Sequence, residues 1–186
     1  MRTLGVFLSL SLDGYFTDAD GKMDWSRRDD AEWRQFTSGN ATGPSTLLFG
    51  RITHDLMAGF WPSDMARQTM PETARGMNGS EKIVFSRSLK TSDWQNTRVV
   101  NGDLVAAVRT LKSGDGPALV ILGSGSIIAQ LTQAGLIDEY QFALIPGALG
   151  AGRTPFEGVT SRPPLKRTEC RAFANGAVFL RYETIR

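Results

Sequence analysis

Residues 118–126 read Ala-Leu-Val-Ile-Leu-Gly-Ser-Gly-Ser, an apolar run that ends in two glycine–serine pairs. Five consecutive apolar residues predict a strand that is buried on both faces. The glycines after them indicate a tight turn, and the spacing of Ile127, Ile128 and Leu131 predicts a helix over residues 126–134. A buried strand that leads directly into a helix is typical of a parallel α/β sheet.

Two further apolar runs end in the same way. Residues 45–49 are followed by Gly50-Arg51-Ile52-Thr53, and residues 82–85 are followed by Ser86-Arg87. Free backbone N–H groups at such turns attract anions, and an arginine there can hold a phosphate through two parallel hydrogen bonds. Together, these turns predict a site for a ligand with several phosphates, such as a dinucleotide.

Strands and helices alternate along most of the chain. We predict strands over residues 3–12, 46–49, 81–85, 97–100, 118–122 and 139–145, and helices over residues 51–58, 64–77, 103–112 and 126–134. Another helix begins at Asp29 and Asp30, and the segment from Gly39 to Pro44 ends it. Two β-like runs, 165–173 and 177–183, flank Asn175-Gly176, which is a hairpin signal. The fold class is therefore α/β, with one mostly parallel mixed sheet flanked by helices and a C-terminal antiparallel hairpin.

Composition restricts the classes of function. The chain has 186 residues, a formal net charge of +2, one cysteine (Cys170) and one histidine (His54). The length fits a single domain over residues 1–186, and the charge gives no electrostatic reason to expect nucleic-acid or membrane binding. One cysteine excludes an internal disulfide framework and a multi-cysteine zinc site, so we predict no metal. No apolar run reaches the roughly 18 residues of a membrane span and no leader peptide is evident, which predicts a cytoplasmic protein.

The turns at residues 50–53, 86–87 and 123–126 belong to a series of motifs along the chain. In these motifs the chain resembles the dihydrofolate reductase-like superfamily, and most of all the branch that contains the RibD C-terminal reductase domain of riboflavin biosynthesis. The resemblance covers nearly the whole chain, and its motifs occur in the family's order. No motif is specific alone, whereas the ordered set of five is a fairly strong signal. The motifs are Ser11-Leu12-Asp13-Gly14, Leu48-Phe49-Gly50-Arg51-Ile52-Thr53, Val84-Phe85-Ser86-Arg87, Val120-Ile121-Leu122-Gly123-Ser124-Gly125, and Leu136-Ile137-Asp138-Glu139 followed by Pro146, Leu149-Gly150-Ala151-Gly152 and Phe156.

The resemblance implies an NADPH-dependent reductase that transfers hydride to a pterin- or pyrimidine-like heterocycle, similar to 5-amino-6-(5-phosphoribosylamino)uracil reductase. It also implies a homodimer. In this interpretation Ser86 and Arg87 bind the adenosine 2′-phosphate, which selects NADPH over NADH. The other implied cofactor contacts are Gly50, Arg51 and Thr53 at the phosphates, Gly123, Ser124, Gly125 and Ser126 at the pyrophosphate, and the backbone of Ser9 and Phe16 at the nicotinamide amide.

Asp30 is the candidate catalytic residue. It aligns with the acid that binds the pterin ring in true dihydrofolate reductases, where a carboxylate can accept two N–H groups and help to supply a proton. The other interpretation is structural, because Asp29, Asp30 and Glu32 cluster where acidic residues cap the first turn of a helix.

Departures from the family pattern leave other functions open. Leu122 stands where the riboflavin-pathway domain has a glutamate, and Ser26-Arg27-Arg28 replaces the apolar residues of true dihydrofolate reductases. A genuine dihydrofolate reductase and a non-catalytic nucleotide-binding module are therefore retained as alternatives. Arg153, in the glycine-rich loop, is either a contact for a substrate phosphate or a solvated charge.

Overall fold

A computed structural model of the chain describes residues 1–28 and 30–185, with the backbone alone for residues 40–42. The strands are β1 (Leu4–Ser11), β2 (Ser45–Gly50), β3 (Glu81–Phe85), β4 (Thr97–Val100), β5 (Ala118–Leu122), β6 (Glu139–Ile145), β7 (Leu165–Ala172) and β8 (Val178–Thr184). The helices are α1 (Ala31–Thr42), α2 (Arg51–Phe60), α3 (Asp64–Thr69), α4 (Pro71–Gly79), α5 (Leu104–Ser113) and α6 (Gly125–Gln133), and Asp24–Ser26 forms a short 3-10 turn.

The eight strands form one sheet in the order β4-β3-β2-β5-β1-β6-β8-β7. Neighbouring strands from β4 to β6 run parallel, whereas β8 pairs antiparallel with both β6 and β7. The predicted fold class, a mostly parallel mixed sheet with a C-terminal antiparallel hairpin, is confirmed.

Successive side chains of β1 pack into different core clusters on the two faces of the sheet. Leu4, Val6 and Leu8 are buried in one core cluster, which also contains residues of α5 and α6. Phe7 packs on the other face, against a cluster that includes Trp33 of α1. Because successive side chains of a strand point to opposite faces, this alternation requires helices on both sides of the sheet.

The parallel arrangement places the segments that carry the predicted site at one edge. The segments that follow β1, β2, β3 and β5 all leave the sheet at the carboxyl ends of its strands, which is where open α/β sheets bind ligands. Among the described residues, no helix has both the length and the apolar character needed to cross a membrane.

One predicted helix is wrong in its extent. The helix expected from Asp64 to Met77 is two helices, α3 and α4, which meet at Met70 with φ −139° and ψ 62°. Pro71 explains the break, because its ring disfavours the helical conformation of the preceding residue and it has no N–H to donate. The predicted start of α1 at Asp30 agrees with its N-cap there, and Asp29 lies outside the described residues.

Candidate functional site

A groove of about 1260 Å³ follows the carboxyl edge of the sheet. That volume exceeds the usual range of about 300–1,000 Å³ for a small-molecule pocket. Most of the predicted cofactor residues line it, although they come from distant parts of the chain. They are Phe16, Gly50, Arg51, Thr53, Ser86, Arg87, Gly123, Ser124, Gly125 and Ser126.

The strand order fixes the sequence of these segments along the groove. Residues 86–88 and 102–105 follow β3 and β4 and form one end. Residues 50–53 and 123–126 follow β2 and β5 and form the middle. The segment after β1, with Arg153, forms the other end.

Two helices begin at this groove without a capping side chain. α2 starts after Gly50 and α6 after Ser124, and neither has a side-chain hydrogen bond to its first N–H groups. By contrast, Asp30, Ser63 and Asp103 cap α1, α3 and α5. α4 also lacks such a cap, but Pro71 removes one of its donors. The uncapped N–H groups of α2 and α6 can therefore bind an anion in the middle of the groove.

The two middle turns are joined to each other. Gly123 and Ser124 both have φ 61°, in the left-handed region, and this turn brings the Ser124 hydroxyl oxygen to accept the Gly50 N–H at 2.9 Å. A Cβ on Gly123 would lie 3.2 Å from the Thr53 methyl carbon, so Thr53 packs closely over the turn. The turns after β2 and β5 thus form one connected surface.

Phe16 covers the start of α6. A Cβ on Gly125 would lie 2.6 Å and 2.8 Å from two ring carbons of Phe16, well inside van der Waals contact. The Phe16 side chain is buried, and its N–H donates to the Arg153 carbonyl oxygen at 2.9 Å. A glycine at position 125 is therefore required for the groove to have this shape.

The arginines of the groove are exposed. Arg51 pairs with Asp55 one helical turn later, at 3.0 Å, and both side chains are about half exposed. Such an exposed ion pair is weak, so the Arg51 guanidinium can bind another anion in place of Asp55. The Arg87 side chain makes no hydrogen bond, ion pair or ring contact with the described residues. The adjacent Ser86 hydroxyl oxygen accepts the N–H groups of Ser88 and Leu89, which leaves the hydroxyl proton free to donate.

A carboxylate fixes the loop at the β1 end of the groove. Asp13 accepts the N–H groups of Leu149 at 3.1 Å and Gly150 at 2.7 Å, and the Ser11 hydroxyl at 2.6 Å. These hydrogen bonds, the Ser11 hydroxyl first, lower the pKa of Asp13 to about 2. The same loop carries Arg153, whose backbone forms an isolated antiparallel bridge with Thr17. Sequence reasoning did not find Thr17, because only long-range pairing brings it to the groove.

Two predicted site residues lie away from this lining. Ser9 belongs to β1, is paired with Ala143 of β6 and shares its face with Phe7. Asp30 caps α1: one oxygen accepts the Trp33 N–H at 2.8 Å and the other accepts the Asn175 side-chain amide at 2.6 Å. These two hydrogen bonds lower the pKa of Asp30, the Trp33 contact contributing most.

Comparison with known proteins relates nearly the whole chain to a family of reductases. The model of the RibD C-terminal domain family matches residues 2–179. The uncharacterized protein YyaP of Bacillus subtilis (strain 168) is 30% identical over 182 residues, which cover 97% of this chain and 94% of YyaP.

Solved structures share the fold. A putative riboflavin biosynthesis protein from Shewanella sp. PV-4 superimposes with a TM-score of 0.76 at 21% identity, over 100% of both chains. Dihydrofolate reductase from Enterococcus faecalis, in complex with NADP(H) and RAB-propyl, gives a TM-score of 0.65 at 15% identity over 99% of this chain and 97% of that one.

Proposed function

We propose that this chain, which belongs to the RibD C-terminal domain family, is an NADPH-dependent reductase of a pterin- or pyrimidine-like heterocycle. The family and the fold are those of reductases. One observation supports the proposal most strongly: three phosphate-type turns, at residues 50–53, 86–87 and 123–126, line a single groove although they are far apart in sequence.

The residues of the groove fit NADPH. A dinucleotide phosphate carries negative charge at two separate places, the pyrophosphate and the 2′-phosphate. The uncapped starts of α2 and α6 suit the first, and the exposed Arg87 with the Ser86 hydroxyl suits the second. The strand order separates these two sites by the width of one strand, because β3 lies beside β2.

We assign roles to the groove residues on this basis. Gly50, Arg51 and Thr53 would hold phosphate oxygens at the start of α2, and residues 123–126 would hold the pyrophosphate at the start of α6. Phe16 would form the wall beside the nicotinamide, and its buried ring would exclude water from that end. Bound NADPH supplies the hydride, and the chain positions the reducible C=N or C=O bond beside it.

The experiment that tests the proposal compares NADPH and NADH binding by wild-type protein and by Arg87→Gln. We expect the variant to weaken NADPH binding by about 10- to 100-fold and NADH binding by less than about threefold, because only NADPH carries the 2′-phosphate. Arg67→Gln, an exposed arginine on α3 outside the groove, is the matched control. Equal weakening of both cofactors, or no binding of either, would contradict the proposal.

Turnover separates an enzyme from a non-catalytic nucleotide-binding module. Wild-type protein that binds NADPH is offered a set of reducible pterins and pyrimidines, and consumption of NADPH is followed by absorbance. Oxidation of NADPH that depends on one of these heterocycles supports the reductase. Binding without any turnover favours the module.

Asp30 remains our proposal for the residue that orients or protonates the substrate, and Ser9 for a backbone contact to the nicotinamide amide. We also propose that the protein is a cytoplasmic homodimer, as the family resemblance implies. Sedimentation equilibrium of the purified chain tests the dimer, and fractionation of the source cells tests the location.

A further inference from the structure

We propose that Thr17 and Arg153 form a subsite for an anionic oxygen group of the substrate, a phosphate or a carboxylate. This inference rests on the proposed function, because it concerns the second ligand of the same groove. Both residues line the groove at its β1 end, far from Arg87 at the β3 end.

The first observation is a hydroxyl without a partner. Thr17 is only 7% exposed, and its hydroxyl oxygen makes no hydrogen bond to any of the described residues. A buried polar group that lacks a hydrogen bond destabilises the fold, so an unpaired buried hydroxyl on a residue that lines a groove points to a partner supplied by a ligand. Rotation by about 120° about the Cα–Cβ bond is enough to present this hydroxyl to a neighbouring group.

The second observation is that the backbone on both sides of the hydroxyl is fixed. Thr17 and Arg153 are partners in an antiparallel bridge, and the Phe16 N–H donates to the Arg153 carbonyl oxygen at 2.9 Å. At Gly152, a Cβ would lie 1.9 Å from the Thr17 carbonyl oxygen, so the two segments are in direct backbone contact. The segments cannot move apart to give the hydroxyl a different partner without breaking these contacts.

The bridge also sets the direction of the two side chains. Residues directly opposite each other in an antiparallel pair project to the same face, with Cβ atoms about 5 Å apart. Because both Thr17 and Arg153 line the groove, their side chains lie on the same side of the bridge. Together they offer several donors to one acceptor group, which is the arrangement that binds phosphate or carboxylate.

The guanidinium of Arg153 is available for such a ligand. It is exposed, and within residues 1–28 and 30–185 it makes no hydrogen bond or ion pair. Asp20, Lys22 and Asp24 line the same end of the groove, and neither carboxylate is paired with Arg153. Asp13 holds the loop that carries Arg153 in place through its hydrogen bonds to Leu149 and Gly150.

The test uses two pairs of candidate substrates that differ by an anionic group. One pair is 5-amino-6-(5-phosphoribosylamino)uracil and its dephosphorylated form. The other is dihydrofolate, which carries carboxylates, and a methyl-dihydropterin, which carries none. The ratio of kcat/KM for the charged and uncharged members is measured in each pair, so that the phosphate and carboxylate sources are distinguished. If neither pair is turned over, the ratio of the Kd values of the charged and uncharged members, measured by calorimetry, replaces the ratio of kcat/KM.

We expect wild-type protein to prefer the charged member of one pair by about 10- to 100-fold. Arg153→Gln should reduce this preference to less than about threefold and leave the Kd of NADPH unchanged, whereas the control Arg162→Gln, at an exposed loop position outside the groove, should keep the preference. Thr17→Val should lower kcat/KM for the charged member and Thr17→Ser should restore it. Because no hydrogen bond is lost, Thr17→Val should leave Tm unchanged or raise it.

The subsite would be overturned by an equal preference in wild type and Arg153→Gln, by a wild-type preference for uncharged members, or by a lower Tm in Thr17→Val without a change in kcat/KM. Weaker NADPH binding by Arg153→Gln would instead place Arg153 in the cofactor site and also refute the subsite. A chain that does not bind NADPH but still prefers the charged ligand would refute the proposed function and leave the subsite supported.

Discussion

Lys82 is an unusual buried cation in the fold, because it faces carbonyl groups rather than a carboxylate. Its ammonium group donates to the carbonyl oxygens of Met77 at 2.9 Å, Asn78 at 3.1 Å and Ser80 at 2.7 Å, at the C-terminal end of α4. It also lies 4.5 Å from the centre of the Trp94 ring. Burial lowers the pKa of Lys82 to about 8, because the charged ammonium loses hydration.

This pKa predicts an unusual dependence of stability on pH. Because the pKa of Lys82 is lower in the folded than in the unfolded chain, the folded chain binds fewer protons above about pH 8, and stability rises with pH up to about 10.5. Lys82→Met should be less stable at pH 7 by about 1–3 kcal/mol, because carbonyl groups lose their donor. The gap should then widen by up to about 3 kcal/mol between pH 8 and 10. Urea unfolding at several pH values measures this difference in the free energy of unfolding, and Lys166→Met, at an exposed position, is the control. A difference that stays constant with pH would contradict the prediction.

Asp30 is a helix cap in the structure, and the interpretation of it as a catalytic residue stays a prediction. Its contacts to Trp33 and Asn175 explain its presence as a helix cap, and they leave its role toward a substrate to be tested. Asp30→Asn separates the two roles, because asparagine caps a helix about as well as aspartate but cannot act as an acid. We expect a modest loss of stability, because the new amide nitrogen cannot accept the Asn175 side-chain amide, and a fall in turnover of the best pterin substrate by about 100-fold or more. An unchanged rate would leave Asp30 as a cap only and would exclude a genuine dihydrofolate reductase.

Local sequence predicted most elements, because strand and helix patterns are strong in this chain. Residues 118–122 were predicted as a strand and form β5 with the same bounds. The interruption at Pro71 was missed, although proline itself carries the signal, because the polar residues of 64–77 are compatible with one continuous helix. The Thr17–Arg153 bridge could not be predicted, since its partners are 136 residues apart and neither lies in a strand pattern.

The close contact between Gly125, at the start of α6, and Phe16 predicts that a larger residue at position 125 disturbs this helix start. Gly125→Ala adds a methyl group 2.6 Å from the Phe16 ring, so the ring must move away from the groove. We expect a loss of about 1–3 kcal/mol of stability and weaker NADPH binding by about 10-fold or more. Gly59→Ala in α2, where nothing lies within 4 Å, should be neutral or stabilising. Chemical denaturation and cofactor titration give both numbers. NADPH binding that is unaffected in Gly125→Ala would show that the Phe16 contact does not shape the cofactor site.

The site as a whole follows from the topology more than from any motif. Each of the turns at residues 50–53, 86–87 and 123–126 is common in proteins, and the sequence predicted their shared location only through the parallel sheet. Parallel strands bring their carboxyl ends to one edge, so every turn that follows such a strand meets the others there. The order of the turns along the groove was not predictable, because it depends on the strand order, in which β5 lies between β2 and β1.

That order yields a prediction for the whole molecule. If one NADPH spans the groove from β3 to β1, its binding should slow amide hydrogen exchange in residues 50–53, 86–88 and 123–126 at the same cofactor concentration, because a single ligand contacts all of them. NADH should protect residues 50–53 and 123–126 but leave 86–88 less protected, because it has no 2′-phosphate. A second cavity of about 670 Å³, at the opposite edge near Arg75 and Gly76, should stay unprotected with either cofactor and serves as the internal control. Protection of the three segments at different concentrations would mean that they do not share one ligand, and the groove would then not be a dinucleotide site.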